Sequence, residues 1–194
     1  MTKYILVGGY LRKASDGGKS FCQELVKGFD QSKSVKILDC FFALPKEDWI
    51  SKIQEDQIRF SKYINNFEII LADQEKFAEQ VKQSDIIFLK GGDTELLMEI
   101  LKKSGNWIKE LNGKTLAGTS AGAEAISKYY YIVDYKKLGN GFNLLPIKLI
   151  PHWHSNSEEY QNLDWSKALQ ELKDYKEDLP IYTLKEGEYV IFEK

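Results

Sequence analysis

The chain has 194 residues, of which 43% are hydrophobic and 29% charged, and its formal net charge is −2 from 27 basic and 29 acidic side chains. This composition predicts one globular domain, residues 1–194, and the balanced charge argues against a nucleic-acid-binding protein, which needs a basic surface to neutralise phosphates. No apolar run reaches the length of a membrane span and the N-terminus has no signal-peptide pattern, so we expect a cytoplasmic protein with no membrane partner.

Short apolar runs alternate with amphipathic segments along the chain. Strands are predicted at residues 4–7, 35–38, 67–71, 85–89 and 116–117, and helices at 20–29, 46–64, 75–81 and from Asp93 or Thr94 onward. The second half adds extended pieces at 130–134 and 147–150, a helix at 163–175, and two final runs at 181–184 and 189–192 that predict a hairpin. The alternation predicts an α/β three-layer sandwich with a mostly parallel central sheet.

The most informative motif is Gly118-Thr119-Ser120-Ala121-Gly122, a Gly-x-Ser-x-Gly pattern between a predicted strand and a predicted helix. A sharp turn at this junction holds the serine out as a nucleophile elbow. The pattern therefore predicts Ser120 as a nucleophile and the N–H of Ala121 as one donor of an oxyanion hole. The alternative is a structural tight turn with an incidental serine.

A serine hydroxyl needs a neighbouring base, and the chain has two histidines, His152 and His154. If the backbone there is extended, both point to the same side, so the choice between them stays open. The carboxylate that orients the base is predicted at Asp134, which ends an apolar run between the serine and the histidines. Weaker alternatives for this acid are Asp164, Glu158 and Glu159.

Three further features bear on the site. The Gly91-Gly92 turn follows a predicted strand, and we expect the N–H of Gly92 to be the second oxyanion donor. Glu124 is a candidate contact for a substrate amino group, although it could simply complement the helix dipole, and His154 is a second candidate substrate contact. No His or Cys spacing matches a metal site, and Cys22 and Cys40 are expected to be buried free thiols, so no metal or organic cofactor is predicted.

Together these motifs resemble those of the dipeptidase E and cyanophycinase-like serine peptidases. The matching stretches are residues 88–94, Leu97, residues 118–123, residues 141–146, and Pro151-His152. The resemblance implies a class I glutamine amidotransferase-like (flavodoxin-like) fold, a Ser-His-Asp/Glu triad, no cofactor, and hydrolysis of peptide bonds that often follow an aspartyl residue. By position it makes Ser120 the nucleophile and His152 the base, puts Asp134 near the acid, and gives the oxyanion hole to Gly92 and Ala121.

The expected partner is a small peptide substrate, and the oligomeric state is left open. Aspartyl-specific members are expected to hold the acidic side chain with an arginine in the helix after the histidine, but residues 164–168 offer only Lys167. Arg12 and Arg59 are the only arginines, which argues against strict aspartyl specificity and against an arginine cluster for carboxylates. Two other functions stay open: an α/β-hydrolase-type esterase, and a non-catalytic binding protein of the same fold.

Overall fold

The computed structural model describes all residues, 1–194, and contains ten strands and six α-helices. The strands are β1 (Lys3–Val7), β2 (Val35–Cys40), β3 (Phe67–Leu71), β4 (Ile86–Leu89), β5 (Thr115–Thr119), β6 (Tyr129–Ile132), β7 (Lys137–Asn140), β8 (Lys148–Ile150), β9 (Ile181–Thr183) and β10 (Tyr189–Glu193). The helices are α1 (Lys19–Val26), α2 (Trp49–Ser61), α3 (Phe77–Gln83), α4 (Thr94–Lys103), α5 (Ala121–Ile126) and α6 (Trp165–Asp174). None of these helices has both the length and the apolar character needed to cross a bilayer.

Six strands form the central sheet in the order β10-β1-β5-β4-β2-β3. The first five strands of the chain run parallel to one another, and β10 joins antiparallel to β1 at one edge. Side chains alternate between its two faces, so Ile5 and Phe88 pack against α1 and α2 while Leu6 and Leu89 pack against α3, α4 and α5. The sheet is therefore covered on both sides, which confirms the predicted α/β sandwich.

A second, four-stranded sheet has the order β7-β6-β8-β9, and α6 packs on it through a separate apolar cluster. The predicted C-terminal hairpin is wrong, because β9 pairs in parallel with β8 while β10 pairs with β1 of the central sheet. An isolated two-stranded hairpin is marginally stable, whereas each run here completes an existing sheet. Residues 184–188 consequently cross from the small sheet to the large one.

The carboxyl ends of β1, β4 and β5 meet at one edge of the central sheet. The Ser120 N–H donates to the Val7 carbonyl at 3.0 Å, which ties the end of β5 to the end of β1. The Gly91 N–H donates to Thr119 Oγ1 at 3.0 Å, which ties the end of β4 to the same point. Ligand sites of open α/β sheets lie at this edge, so the topology already indicates where the site should be.

Candidate active site

Ser120 lies at the sharp turn between β5 and α5, with φ 47° and ψ −112°, a conformation that non-glycine residues seldom adopt. The turn is held by the bond to Val7 and by the Glu124 N–H, which donates to the Ser120 carbonyl at 2.9 Å. Gly122 is needed because a Cβ there would lie 2.1 Å from the Leu89 carbonyl oxygen. The strained turn leaves the serine side chain on the wall of a pocket.

His152 lies within hydrogen-bond distance of the serine, with Nε2 2.8 Å from Ser120 Oγ. Its backbone is in the left-handed region, φ 55°, and its N–H donates to the Gly8 carbonyl at 2.7 Å. The imidazole is 5% exposed and packs between the rings of Tyr10 and Tyr160, with centroid distances of 5.7 and 5.2 Å. A turn, and not an extended strand, therefore aims the imidazole at the serine.

His154 does not enter the pocket. It also has a left-handed backbone, φ 51°, and its exposed ring lies against Trp153 and Trp165 at centroid distances of 4.6 and 5.5 Å. The expectation that both histidines share one side is wrong, because the chain turns here and the alternation of a strand does not apply. The suggested substrate contact by His154 is wrong for the same reason.

The carboxylate on the imidazole belongs to Glu186. Its Oε1 accepts from His152 Nδ1 at 2.9 Å and from Ser155 Oγ at 2.8 Å, and Lys13 Nζ lies 3.8 Å from the same oxygen. Burial disfavours the charged form, but the two hydrogen bonds and the Lys13 charge hold the pKa of Glu186 below its ordinary value. An ionised carboxylate only accepts, so Nδ1 carries the hydrogen and Nε2 is free to take a proton from Ser120.

Asp134, predicted for this position, is wrong as the imidazole's partner. It accepts from the Tyr160 hydroxyl at 3.0 Å and meets His152 only through that tyrosine ring. Among the weaker alternatives, Asp164 caps α6 by accepting from the Lys167 N–H at 2.9 Å. The other two alternatives, Glu158 and Glu159, have exposed side chains that contact neither histidine, although Glu159 lines the pocket.

Sequence reasoning missed Glu186 because it sought the acid between the serine and the histidine, or in the polar stretch just after the histidine. The usable signal is topological: β8 and β9 are parallel neighbours with Ile150 beside Thr183, so residues just after both strands meet at one edge. His152 follows β8 and Glu186 follows β9. The prediction of a hairpin at the C-terminus hid this relation.

Glu124 is 2% exposed and does not line the pocket, so the suggested contact with a substrate amino group is wrong. All six residues of α5 are buried, and a polar residue on this helix therefore has no solvent-facing side. Thr94 Oγ1 donates to the Glu124 carboxyl at 2.5 Å. Burial raises the pKa of Glu124 to about 8, so the group is mostly neutral at pH 7.

Two backbone donors beside the serine, the N–H groups of Gly92 and Ala121, make no hydrogen bond within the protein. Ala121 begins α5 directly after the serine. The turn that carries Gly92 is close as well, since a Cβ at Gly91 would lie 3.2 Å from Ser120 Cβ. Asp93 anchors this turn by donating its N–H to the Ala43 carbonyl at 2.8 Å. Both donors are therefore available to an oxyanion.

The pocket in front of Ser120 has a volume of about 510 Å³ and contains both arginines of the chain, Arg12 and Arg59, on its wall. The fold therefore brings both arginines to the candidate site, although they are 47 residues apart in the chain. Lys167, the only cation after the histidine in the expected stretch, is exposed, lies 3.8 Å from Glu171 and does not line the pocket.

A buried carboxyl pair supports one wall of this pocket. Asp56 accepts from Arg59 Nη1 at 2.7 Å and from Lys90 Nζ, and its inner neighbour is the fully buried Asp39. Burial raises the pKa of Asp39 well above its ordinary value. Burial also opposes ionisation of Asp56, but Lys90, Asp39 and Arg59 together hold the pKa of Asp56 below its ordinary value. The ion pair with Asp56 holds the side chain of Lys90, the residue directly before the Gly91-Gly92 turn.

The two cysteines are free and buried, as predicted, and burial raises the pKa of the Cys22 thiol to about 12. Neither thiol reaches the pocket.

The model of Peptidase family S51 matches residues 50–194. The chain belongs to peptidase family S51. This S51 peptidase is accordingly a serine-type hydrolase, as its resemblance to dipeptidase E predicts. No curated protein matches its sequence.

Solved structures support the fold of this S51 peptidase. One is a protein from Listeria monocytogenes EGD-e named after peptidase E, with a TM-score of 0.71 and 16% identity over 99% of this chain and 94% of that chain. Another is a peptidase from an acI-B1 Actinobacterium, with a TM-score of 0.69 and 21% identity over 99% of this chain and 83% of that chain. At these identities the likeness shows a shared fold, a flavodoxin-like arrangement with a mostly parallel sheet.

Proposed function

We propose that this S51 peptidase hydrolyses dipeptides or short peptides through an acyl-enzyme, with Ser120 as nucleophile, His152 as base and Glu186 as the acid that orients the base. The observation that carries the proposal is the continuous chain of contacts from Ser120 Oγ to His152 Nε2 at 2.8 Å and from His152 Nδ1 to Glu186 Oε1 at 2.9 Å. Such a chain turns a weakly nucleophilic hydroxyl into an effective one.

The reaction follows from the positions of these groups. Ser120 Oγ attacks the peptide carbonyl carbon while its proton moves to His152 Nε2, and the Gly92 and Ala121 N–H groups stabilise the resulting oxyanion. His152 then gives that proton to the leaving amine, so the C–N bond breaks and an ester to Ser120 remains. Water enters, loses a proton to His152 and attacks the ester, which releases the acid and restores the serine. Glu186 stays ionised throughout and stabilises the transient imidazolium.

The size of the pocket favours small substrates. A volume of about 510 Å³ is typical of a site for one small ligand and offers no extended cleft. Aspartyl dipeptides are candidates through the family. Arg59 and Lys90 lie in the pocket but already pair with Asp56, and Lys52 pairs with Glu55, so Arg12 is the cation of the pocket wall that has no carboxylate partner.

The two alternative functions receive less support. A binding protein without catalysis would be favoured by histidines far from the serine, and His152 is not far. An α/β-hydrolase-type esterase has no observation in its favour, because the sequence lacks the His-Gly-Gly-Gly oxyanion motif of lipases and esterases.

The test is a dipeptide-library hydrolysis screen together with labelling by a fluorophosphonate, on Ser120→Ala and on the matched control Ser61→Ala. Ser61 is exposed at the end of α2 and does not line the pocket. Ser120→Ala is expected to lose both hydrolysis and labelling, while Ser61→Ala keeps both. Hydrolysis or labelling that persists in Ser120→Ala would refute the proposal.

A further inference from the structure

Among the basic side chains on the pocket wall, one lacks a carboxylate partner. The pocket is lined by four cations: Arg12, Lys52, Arg59 and Lys90. Asp56 pairs with Arg59 and Lys90, and Glu55 pairs with Lys52 at 2.8 Å. Arg12 forms no salt bridge and no side-chain hydrogen bond, so its five donors are available to a ligand.

Arg12 is held on the histidine side of the pocket. Its guanidinium carbon lies 4.9 Å from the centroid of the Tyr10 ring, in cation–π contact, and the Tyr10 ring lies 5.7 Å from the ring of His152. One aromatic ring therefore separates the guanidinium from the imidazole. The guanidinium carbon and the imidazole centroid are therefore no farther apart than these two distances laid end to end, a gap that one amino acid residue hydrogen-bonded at both ends can span.

The histidine side is where the leaving group must lie. His152 Nε2 takes the serine proton and then gives it to the leaving amine, so the leaving fragment has to be next to this nitrogen, away from the oxyanion donors. When the substrate is a dipeptide, the leaving fragment is one amino acid, and its α-carboxylate lies two bonds from the departing nitrogen. A guanidinium binds a carboxylate with two parallel hydrogen bonds.

We propose that Arg12 binds the C-terminal carboxylate of the leaving residue and makes this enzyme a dipeptidase. The proposal rests on the proposed function, because it assumes that His152 protonates the leaving amine. Arg12 thereby recognises the C-terminal carboxylate of a dipeptide, whereas a longer peptide would place a neutral amide at the guanidinium. Loss of a charged hydrogen bond to an exposed group such as Arg12 corresponds to about a tenfold change in kcat/KM.

An acidic side chain of the same pocket, Glu159, is the group that would compete with a substrate carboxylate for Arg12. Glu159 lines the same pocket, pairs with no base, and together with Arg12 acts on the Tyr10 hydroxyl. Removal of its charge should leave the carboxylate site more strongly positive. Glu159→Gln is therefore expected to keep or increase a preference for substrates with a free C-terminus.

The experiment compares kcat/KM for Ala-Ala and Asp-Ala with kcat/KM for their C-terminal amides, on the wild type, Arg12→Gln, Glu159→Gln and Lys52→Gln. Lys52→Gln is the control, since it also removes one positive charge from the pocket wall. We expect the ratio of free acid to amide to be about tenfold or more in the wild type, to fall to near one in Arg12→Gln, and to persist in the other two variants.

Four results would overturn the inference. If acids and amides are cleaved equally, or if the preference survives in Arg12→Gln, Arg12 does not bind the C-terminus, and the peptidase proposal is unaffected. If Ala-Glu amide is cleaved as fast as Ala-Ala in an Arg12-dependent manner, Arg12 reads a side-chain carboxylate instead. If no peptide of the series is cleaved although Ser120 reacts with the fluorophosphonate, the proposed function and the inference both fail.

Discussion

Replacing Glu186 with glutamine tests the triad most directly, because it removes one charge and keeps the shape of the side chain. Oε1 accepts from His152 and Ser155, while Oε2 is buried without a hydrogen-bond partner and lies against Gly9. If the amide keeps its oxygen on the imidazole, its NH2 group takes the buried Oε2 position with no acceptor. If the amide reverses, its NH2 group faces Nδ1 and stabilises the tautomer that has its hydrogen on Nε2, which cannot accept the serine proton.

The expected loss follows from the geometry of the ion pair formed during the reaction. With 2.9 Å between His152 Nδ1 and Glu186 Oε1, the centres of the imidazolium and carboxylate charges are separated by more than this contact. At roughly 4 Å, such a pair contributes about 4 kcal/mol at an effective dielectric constant of about 20. Because about 1.4 kcal/mol corresponds to a tenfold change in rate, we expect kcat/KM to fall by about 10³.

The assay is peptide hydrolysis at pH 7, with the rate of fluorophosphonate labelling as a second measure and the melting temperature as a check on folding. Asp134→Asn is the matched control, since it makes the same carboxylate-to-amide change at a residue that lines the pocket, and its remaining oxygen still accepts from Tyr160. Its kcat/KM should stay within about tenfold of the wild type. Comparable losses in both variants, or a Glu186→Gln enzyme within about tenfold of the wild type, would refute the reasoning.

Two further substitutions test the groups around the serine. Glu124→Gln is expected to raise the melting temperature at pH 8 more than at pH 5. The pKa of Glu124 in the folded protein, about 8, lies above the ordinary value of 4.5, so the folded chain holds an extra proton between these pH values. The stability of the wild type therefore falls as pH rises through this range, and the neutral glutamine removes that loss. A melting-temperature profile with unchanged pH dependence would contradict this. Gly92→Ala is expected to lower kcat/KM by about 10² to 10³, as for loss of one oxyanion donor, because its Cβ would lie 2.3 Å from the Ala43 carbonyl oxygen. Gly113→Ala, also at positive φ but in open space, should lower only the melting temperature, and equal kcat/KM in the two variants would exclude a role for the Gly92 turn.

The parts of the site that could be predicted from the sequence depend on residues that are close together in the chain. Ser120 could be placed at a strand-to-helix turn because the apolar run, the glycines and the following helix are contiguous in the chain. The parallel sheet was predictable for the same reason, since each strand and the helix after it form a local unit. The turn after β4 could be brought near the serine because parallel strands end at a common edge.

The errors concern contacts that only the tertiary structure determines. Glu186 is 34 residues beyond His152 and reaches it because β9 and β10 join different sheets, a pairing that the local turn signal at Gly187 does not reveal. Asp134 was chosen for its place in the chain order, but Tyr160 takes its oxygen. Glu124 cannot contact a substrate because α5 is buried along its whole length, which the polarity of the residue does not indicate.

The crossing at residues 184–188 means that no single layer of the protein contains the whole proposed triad. Ser120 follows β5 of the large sheet, His152 follows β8 of the small sheet, and Glu186 lies on the segment that joins the two. The rate of the chemical step therefore depends on how the two sheets are seated against each other. A substitution between them, distant from any substrate, can slow the enzyme by shifting one sheet as a body while every strand stays folded.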